Sequence, residues 1–132
     1  MKITYLGHSG FLVEMDDACF LFDYYKGAFP DMDEKKKLFV FVSHAHYDHY
    51  NKAVFDLRGR FAKTRYILSS DIRGKENDTS TVDGEQGGDT VFMKPCEERE
   101  LLGCRVRTLR SNDERVAFLI QYHGKTLYHA GD

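Results

Sequence analysis

The sequence predicts a layered domain of the α/β or α+β class, built mainly from strands. Three observations carry that reading. Short apolar runs recur along the chain, set off by turn residues. One of them, Leu38–Ser43, is apolar without interruption up to its closing serine. A single helical pattern follows Asn51. The length of 132 residues suits one domain, and 42% hydrophobic residues with only two prolines exclude collagen and a disordered linker.

The first quarter reads as strands joined by tight turns. Lys2 to Leu6 is a strand ended by the turn chemistry of Gly7-His8-Ser9-Gly10. Phe11 to Met15 and Ala18 to Asp23 flank an Asp16-Asp17 turn, which predicts a hairpin. Tyr24 to Lys37 reads as a loop, and its charge run from Asp31 onward as a solvated face.

The continuous run 38–43 predicts a strand buried on both faces. Asn51 is placed to cap a helix with Ala53, Val54, Leu57 and Phe61 inward. Arg65 to Ser69 is a further strand. The polar, Gly-containing stretch from Arg73 to Asp89 shows no packing face and reads as a mobile loop. Strands return at Thr90–Met93, Cys104–Leu109, Val116–Tyr122 and Lys125–His129, with His123-Gly124 turning the last hairpin.

Several function classes are disfavoured early. A net charge of -2 gives no reason to expect nucleic acid. The alternation of Arg105, Arg107 and Arg110 with Cys104, Val106 and Thr108 fits an exposed strand face. No apolar run is long enough to span a bilayer, and the N-terminus lacks a signal peptide pattern. Cys19, Cys96 and Cys104 form no C-x-x-C and read as reduced, buried thiols of a cytoplasmic protein.

The chemistry concentrates in His44-Ala45-His46-Tyr47-Asp48-His49. On a strand, residues 44, 46 and 48 would share a face and 49 would point away. On a helix, 44 and 48 would be neighbours and 46 would not. A turn leaving the buried strand can aim all four inward, with two on each of two adjacent metals or several on one. Imidazole suits zinc or iron, and Asp adds negative charge.

H-x-H-x-D-H after an apolar strand resembles the signature of the metallo-β-lactamase fold hydrolases. Tyr5-Leu6-Gly7-His8-Ser9-Gly10-Phe11 resembles the Gly-rich opening of the lactonase-like branch. Leu21-Phe22-Asp23 is similar to the strand after it, and His129-Ala130-Gly131-Asp132 to the later G-D motif. The resemblance implies an αββα sandwich of mixed β-sheets with flanking helices. It places His44 and His46 on a first metal, Asp48 and His49 on a second, and Asp132 as a bridge. It implies a divalent metal, zinc first, with manganese or iron as alternatives and one or two ions. A metal-activated water would attack an ester, lactone or phosphodiester in a small-molecule substrate. Asp48 would orient the nucleophile or relay a proton.

The chain departs from that pattern twice. The family places a further His for the first metal where this chain reads Thr108 to Arg115, with Ser111 or Asp113 as substitutes or the position unfilled. The family also continues past the G-D motif to a final His, whereas this sequence ends at Asp132. Residues 1–132 are therefore expected to form a single, incomplete domain, the N-terminal portion of the sandwich. A homodimer completing the sandwich is expected, and a well-behaved monomer by light scattering would contradict it.

Of the remaining residues, His8 reads as either a metal-site neighbour or a turn residue. Asp23 reads as a hydrogen-bond partner of a ligand His or as a strand-end cap. His129 packs within its strand or supports a ligand side chain, and His123 is a turn residue. Tyr24, Tyr25, Tyr47 and Tyr50 line a pocket or fill the core and rim. The competing functions are a non-catalytic remnant of the same fold and a di-iron oxidoreductase on it; His46 in the second ligand position favours hydrolysis.

Overall fold

Two sheets stack face to face in the structure, a computed structural model that describes residues 1–46, 48–72, 88–111 and 115–131. The first sheet holds six strands in the order β1 (Lys2–Gly7), β2 (Gly10–Glu14), β3 (Ala18–Phe22), β4 (Lys37–Val42), β5 (Lys63–Ser69) and β6 (Thr90–Met93). β1, β2 and β3 run antiparallel as hairpins, and β3, β4, β5 and β6 run parallel. The second sheet is antiparallel throughout, in the order β10 (Lys125–His129), β9 (Val116–Tyr122), β8 (Cys104–Arg110) and β7 (Glu98–Leu101).

The core between the sheets is aromatic. Phe20 stacks on Phe39 at 5.1 Å, Phe22 on Phe41 at 4.8 Å, and Phe118 meets Phe41 edge-on. Val106, Val116, Phe118 and Ile120 come up from the second sheet. The opposite face of the first sheet, with Leu21, Leu38, Val40, Tyr66 and Leu68, is covered by Tyr24, Tyr50, Val54, Phe55 and Leu57. Cover on both faces explains why β4 reads as an unbroken apolar run. Among the described residues the second sheet is covered on one face only, and β8 alternates buried with exposed residues. On the exposed face, Arg105 and Arg107 lie 3.8 and 3.1 Å from Glu98.

Two expectations are corrected here, and one strand is added. The helix after Asn51 is a six-residue 3-10 helix, Lys52–Leu57. Asn51 caps it as expected, its side chain accepting from Ala53 N at 2.8 Å. Val54 and Leu57, three residues apart, fit the three-residue turn, and Arg58 ends it in extended backbone. The strand β7 carries Glu98, Arg99 and Glu100 and gives no apolar signal; it forms because Leu102 and Gly103 adopt positive φ and fold it back on β8. Cys96 is exposed, whereas Cys19 and Cys104 are buried.

The His123–Gly124 turn is as expected, with both residues at positive φ, and His123 lies 3.1 Å from Asp17. The stretch 73–87, read as a mobile loop, lies outside the described residues. Asp89 just beyond it is held by Arg58 at 2.6 Å. Among the described residues, no helix is long and apolar enough to cross a membrane.

Candidate metal centre

Three parallel strands end side by side, and a polar residue follows each. β3 leads into Asp23, β4 into Ser43 and His44, and β5 into Asp71 after Ser70. The pairings Phe22 with Phe41 and Val42 with Leu68 bring these exits to one edge. The carboxyl edge of a parallel sheet is where α/β folds gather ligand-binding groups.

Asp23 organises that edge from a fully buried position. Its carboxylate accepts from Ser43 N at 2.8 Å, from Ser43 Oγ at 2.6 Å and from His49 Nδ1 at 2.7 Å. A carboxylate only accepts, so the Ser43 hydroxyl proton points at Asp23. Ser43 Oγ also lies 3.0 Å from His44 Nδ1. With its own proton committed, Oγ accepts there, and His44 carries its proton on Nδ1. The network thereby assigns the tautomer.

His44 Nε2 is left with a bare lone pair, buried and without a hydrogen-bond partner. Burial, helped by the neighbouring His49, Arg115 and His46 side chains, pushes the His44 pKa down to about 4, so the ring is neutral at pH 7. An unsatisfied buried acceptor of this kind costs about 1–3 kcal/mol. A divalent cation would relieve that cost. Ligand atoms of His44, His46 and Asp48 all lie within 4.8 Å of one another, a spacing one cation can bridge with small inward adjustment. The residues present therefore fit a metal.

His49 joins from the other side of the turn. Donating from Nδ1 to Asp23 turns Nε2 toward Asp48, whose Oδ2 is 3.6 Å away. The His49 and His44 rings lie 3.8 Å apart between centroids. The turn itself is pinned from three directions. His49 N and Tyr50 N both donate to His46 O, at 2.9 and 3.0 Å. Ala45 N donates to Asp71 Oδ2 at 3.1 Å. Asn51 Nδ2 donates to Tyr25 O at 2.6 Å.

The remaining predicted residues fall apart from the cluster. His8 is an exposed turn residue at positive φ, edge-on to Tyr25 at 4.6 Å. His129 is buried and stacked on Phe22 at 5.0 Å; its Nε2 donates to Ser9 O at 2.8 Å and its Nδ1 accepts from Gly131 N at 3.2 Å. Tyr24 and Tyr50 belong to the core under the first sheet. Ser111 Oγ donates to Ala130 O at 3.4 Å. Asp132, Tyr47 and Asp113 lie outside the described residues.

Reading the sequence alone misses Ser43, Asp71 and Arg115. The first two were accessible in principle, as polar residues just past strands that pair in parallel. Arg115 was not: its guanidinium Nη2 lies 3.3 Å from His46 Nδ1 and 3.4 Å from Nε2, across 69 residues of sequence.

A mixed parallel sheet packed on an antiparallel one, with a His- and Asp-bearing turn at the exit of a central strand, defines the metallo-β-lactamase class of fold. The chain belongs to the Beta-lactamase superfamily domain family, whose model matches residues 2–132. It is 32% identical over 144 residues to a UPF0173 metal-dependent hydrolase of Opitutus terrae, an alignment covering all of this chain and 63% of that protein. Among solved structures, a candidate metal-dependent hydrolase of Parabacteroides distasonis superposes with a TM-score of 0.72 at 15% identity, over 98% of this chain and 60% of that one. CmlA, a diiron β-hydroxylase of Streptomyces venezuelae, superposes with a TM-score of 0.66 at 19% identity, over 98% of this chain and 29% of that one. These structural likenesses establish the fold. The chain spans about three-fifths of the length of the curated relatives it matches.

Proposed function

We propose that this chain carries the ligand-bearing part of a metal-dependent hydrolase acting on an ester, lactone or phosphodiester. The single observation that supports the reading most is His44 Nε2: buried, unprotonated, without a partner and grouped with His46 and Asp48. Curated relatives named metal-dependent hydrolases agree with it.

In this reading His44, His46 and Asp48 hold a divalent ion, with zinc preferred and manganese or iron as alternatives. His49, turned toward Asp48, would serve a second ion, with Asp132 as a further ligand. The metal supplies a water of lowered pKa and a Lewis acid for the substrate oxygen. The chain's own residues do the rest. Asp23 and Ser43 hold His44 and His49 as Nδ1–H tautomers, so both Nε2 atoms face inward. Asp48, one-third exposed beside His49, is placed to orient a nucleophile or pass a proton outward.

A non-catalytic remnant is the second reading, and one observation favours it. The β8–β9 connection, where the family pattern has an imidazole and this sequence has none, brings an arginine to His46. Elemental analysis of purified and zinc-dialysed protein tests both readings. One or two ions per chain, lost in His46→Ala, supports the hydrolase. Near-zero metal in the wild type leaves the remnant.

A further inference from the structure

Arg115 is fixed at the cluster by its backbone. Ser111 N donates to Arg115 O at 3.1 Å, and the next residue, Val116, donates its N–H to Ser43 O at 3.2 Å. Ser43 immediately precedes His44, so the start of β9 is tied to the root of the ligand turn. The guanidinium then lies on the His46 ring, nearly equidistant from its two nitrogens. Equal distances place it against the ring rather than along one lone pair.

A guanidinium keeps its proton and has no lone pair to give a metal. The connection therefore delivers a permanent positive charge beside the imidazole that would ligate a cation. Once a divalent ion sits on His46, the two charges repel and the guanidinium must turn away from the ring. His46 is exposed and Arg115 is half-buried. The position it then takes, beside a divalent ion at the mouth of the site, is one where a planar fork of donors binds an oxyanion in two-pronged fashion.

We propose that Arg115 is the anion anchor of this site, binding a carboxylate or phosphate group carried by the substrate. The proposal narrows the substrate of the hydrolase reading to an anionic ester, lactone or phosphodiester, and it rests on that reading for the metal. The anion contact itself needs only Arg115 and the rim of the turn. A corollary follows by linkage. An anion that draws the guanidinium off His46 removes an obstacle to the metal, so anion and metal bind with positive coupling.

The test titrates the full chain with inorganic phosphate and, separately, with acetate. Each titration is run metal-free and at chelator-buffered free zinc, on wild type, Arg115→Ala, Arg115→Gln and Arg115→Lys, with circular dichroism to verify folding. Losing charged, two-pronged hydrogen bonds is expected to weaken the preferred anion about tenfold or more in the Ala and Gln variants, with Lys in between. Zinc without added anion binds tighter to Arg115→Ala than to wild type, and the anion tightens zinc more in wild type than in that variant. The stronger of the two probes tells a phosphate-bearing substrate from a carboxylate-bearing one. Equal anion affinity in wild type and in the folded Ala or Gln variant overturns the anchor, as does a wild type that binds neither probe. The two readings fail separately. Arg115-dependent anion binding in a protein that takes up no zinc keeps the anchor and removes the hydrolase; zinc uptake with Arg115-independent anion binding does the reverse.

Discussion

His44 and His129 are both buried histidines at strand exits, yet they end in opposite states. His129 closes every valence: Nε2 donates to Ser9 O, Nδ1 accepts from Gly131 N, and the ring stacks on Phe22. His44 closes one valence through Ser43 and leaves the other bare. The first is a packing residue with polar ends. The second is held, at a cost, in a state that only an outside group can satisfy. Burial and residue type are the same in both, so the unpaired nitrogen marks the chemistry.

The largest test of that contrast removes the unpaired nitrogen. His44→Ala is expected to lower zinc affinity by about 100-fold or more, beyond the range for losing a partner of a ligand. Competition with a chromophoric chelator reads it directly. Because the variant deletes an unsatisfied buried acceptor, its metal-free stability should fall less than a buried truncation otherwise implies. Undiminished zinc binding would break the comparison at its root.

Asp23 is the next lever, since it sets both imidazoles through Ser43 and His49. In Asp23→Asn one oxygen becomes an amide donor, and three donors can no longer all be met. His49 or Ser43 must turn, and one inward nitrogen is lost. Zinc affinity is expected to fall about 10- to 100-fold, as for other partners of metal ligands. Asp23→Glu shifts the carboxylate outward and is expected to rescue little. Zinc affinity equal to wild type in Asp23→Asn would show that the tautomers are set elsewhere.

The same contrast explains what the sequence disclosed. β4 was legible because it is apolar from Leu38 to Val42, and the last hairpin because His123-Gly124 names its own turn. The candidate ligand turn was legible because four side chains of metal-ligating type fall between 44 and 49. What stayed hidden is whatever depends on lateral pairing. Asp23 reads in sequence as a hydrogen-bond partner of a ligand His or a strand-end cap, but Ser43 and Asp71 join it at one edge only because β3, β4 and β5 run parallel in register. β7 exists only because β8 offers an edge to its charged residues. Cys104 and Cys96 look alike in sequence, but burial pushes the Cys104 thiol up to about 12, while Cys96 is exposed on a turn. Arg115 reaches His46 only through the backbone tie between β9 and Ser43. Its arrival is the one feature of the site that no local pattern announces.

The tie between the two exits can be probed where they touch. Gly131, at φ +82, follows His129 closely and packs on the root of the ligand turn. A Cβ there would stand 2.7 Å from Val116 O and 3.2 Å from the Ser43 side chain. Gly131→Ala must therefore strain the backbone and push β9 from Ser43, at a cost of about 1–3 kcal/mol. Urea unfolding measures this as a lowered midpoint with unchanged slope. Zinc affinity is expected to weaken less than in Asp23→Asn, because the Asp23 carboxylate and its bond to His49 are kept.

The smallest effect is also the sharpest control. His129→Phe keeps the flat ring that stacks on Phe22 and removes two hydrogen bonds, to Ser9 O and from Gly131 N. Each net hydrogen bond is worth about 1 kcal/mol, and leaving Ser9 O and Gly131 N without that partner adds to the loss only where water cannot reach them. A destabilisation of about 1–2 kcal/mol is expected on that basis. Zinc affinity should stay within about twofold of wild type, since packing and metal chemistry are separate here. If His129→Phe loses zinc as His44→Ala does, the two buried histidines belong to one coupled network. The unpaired nitrogen would then no longer separate them.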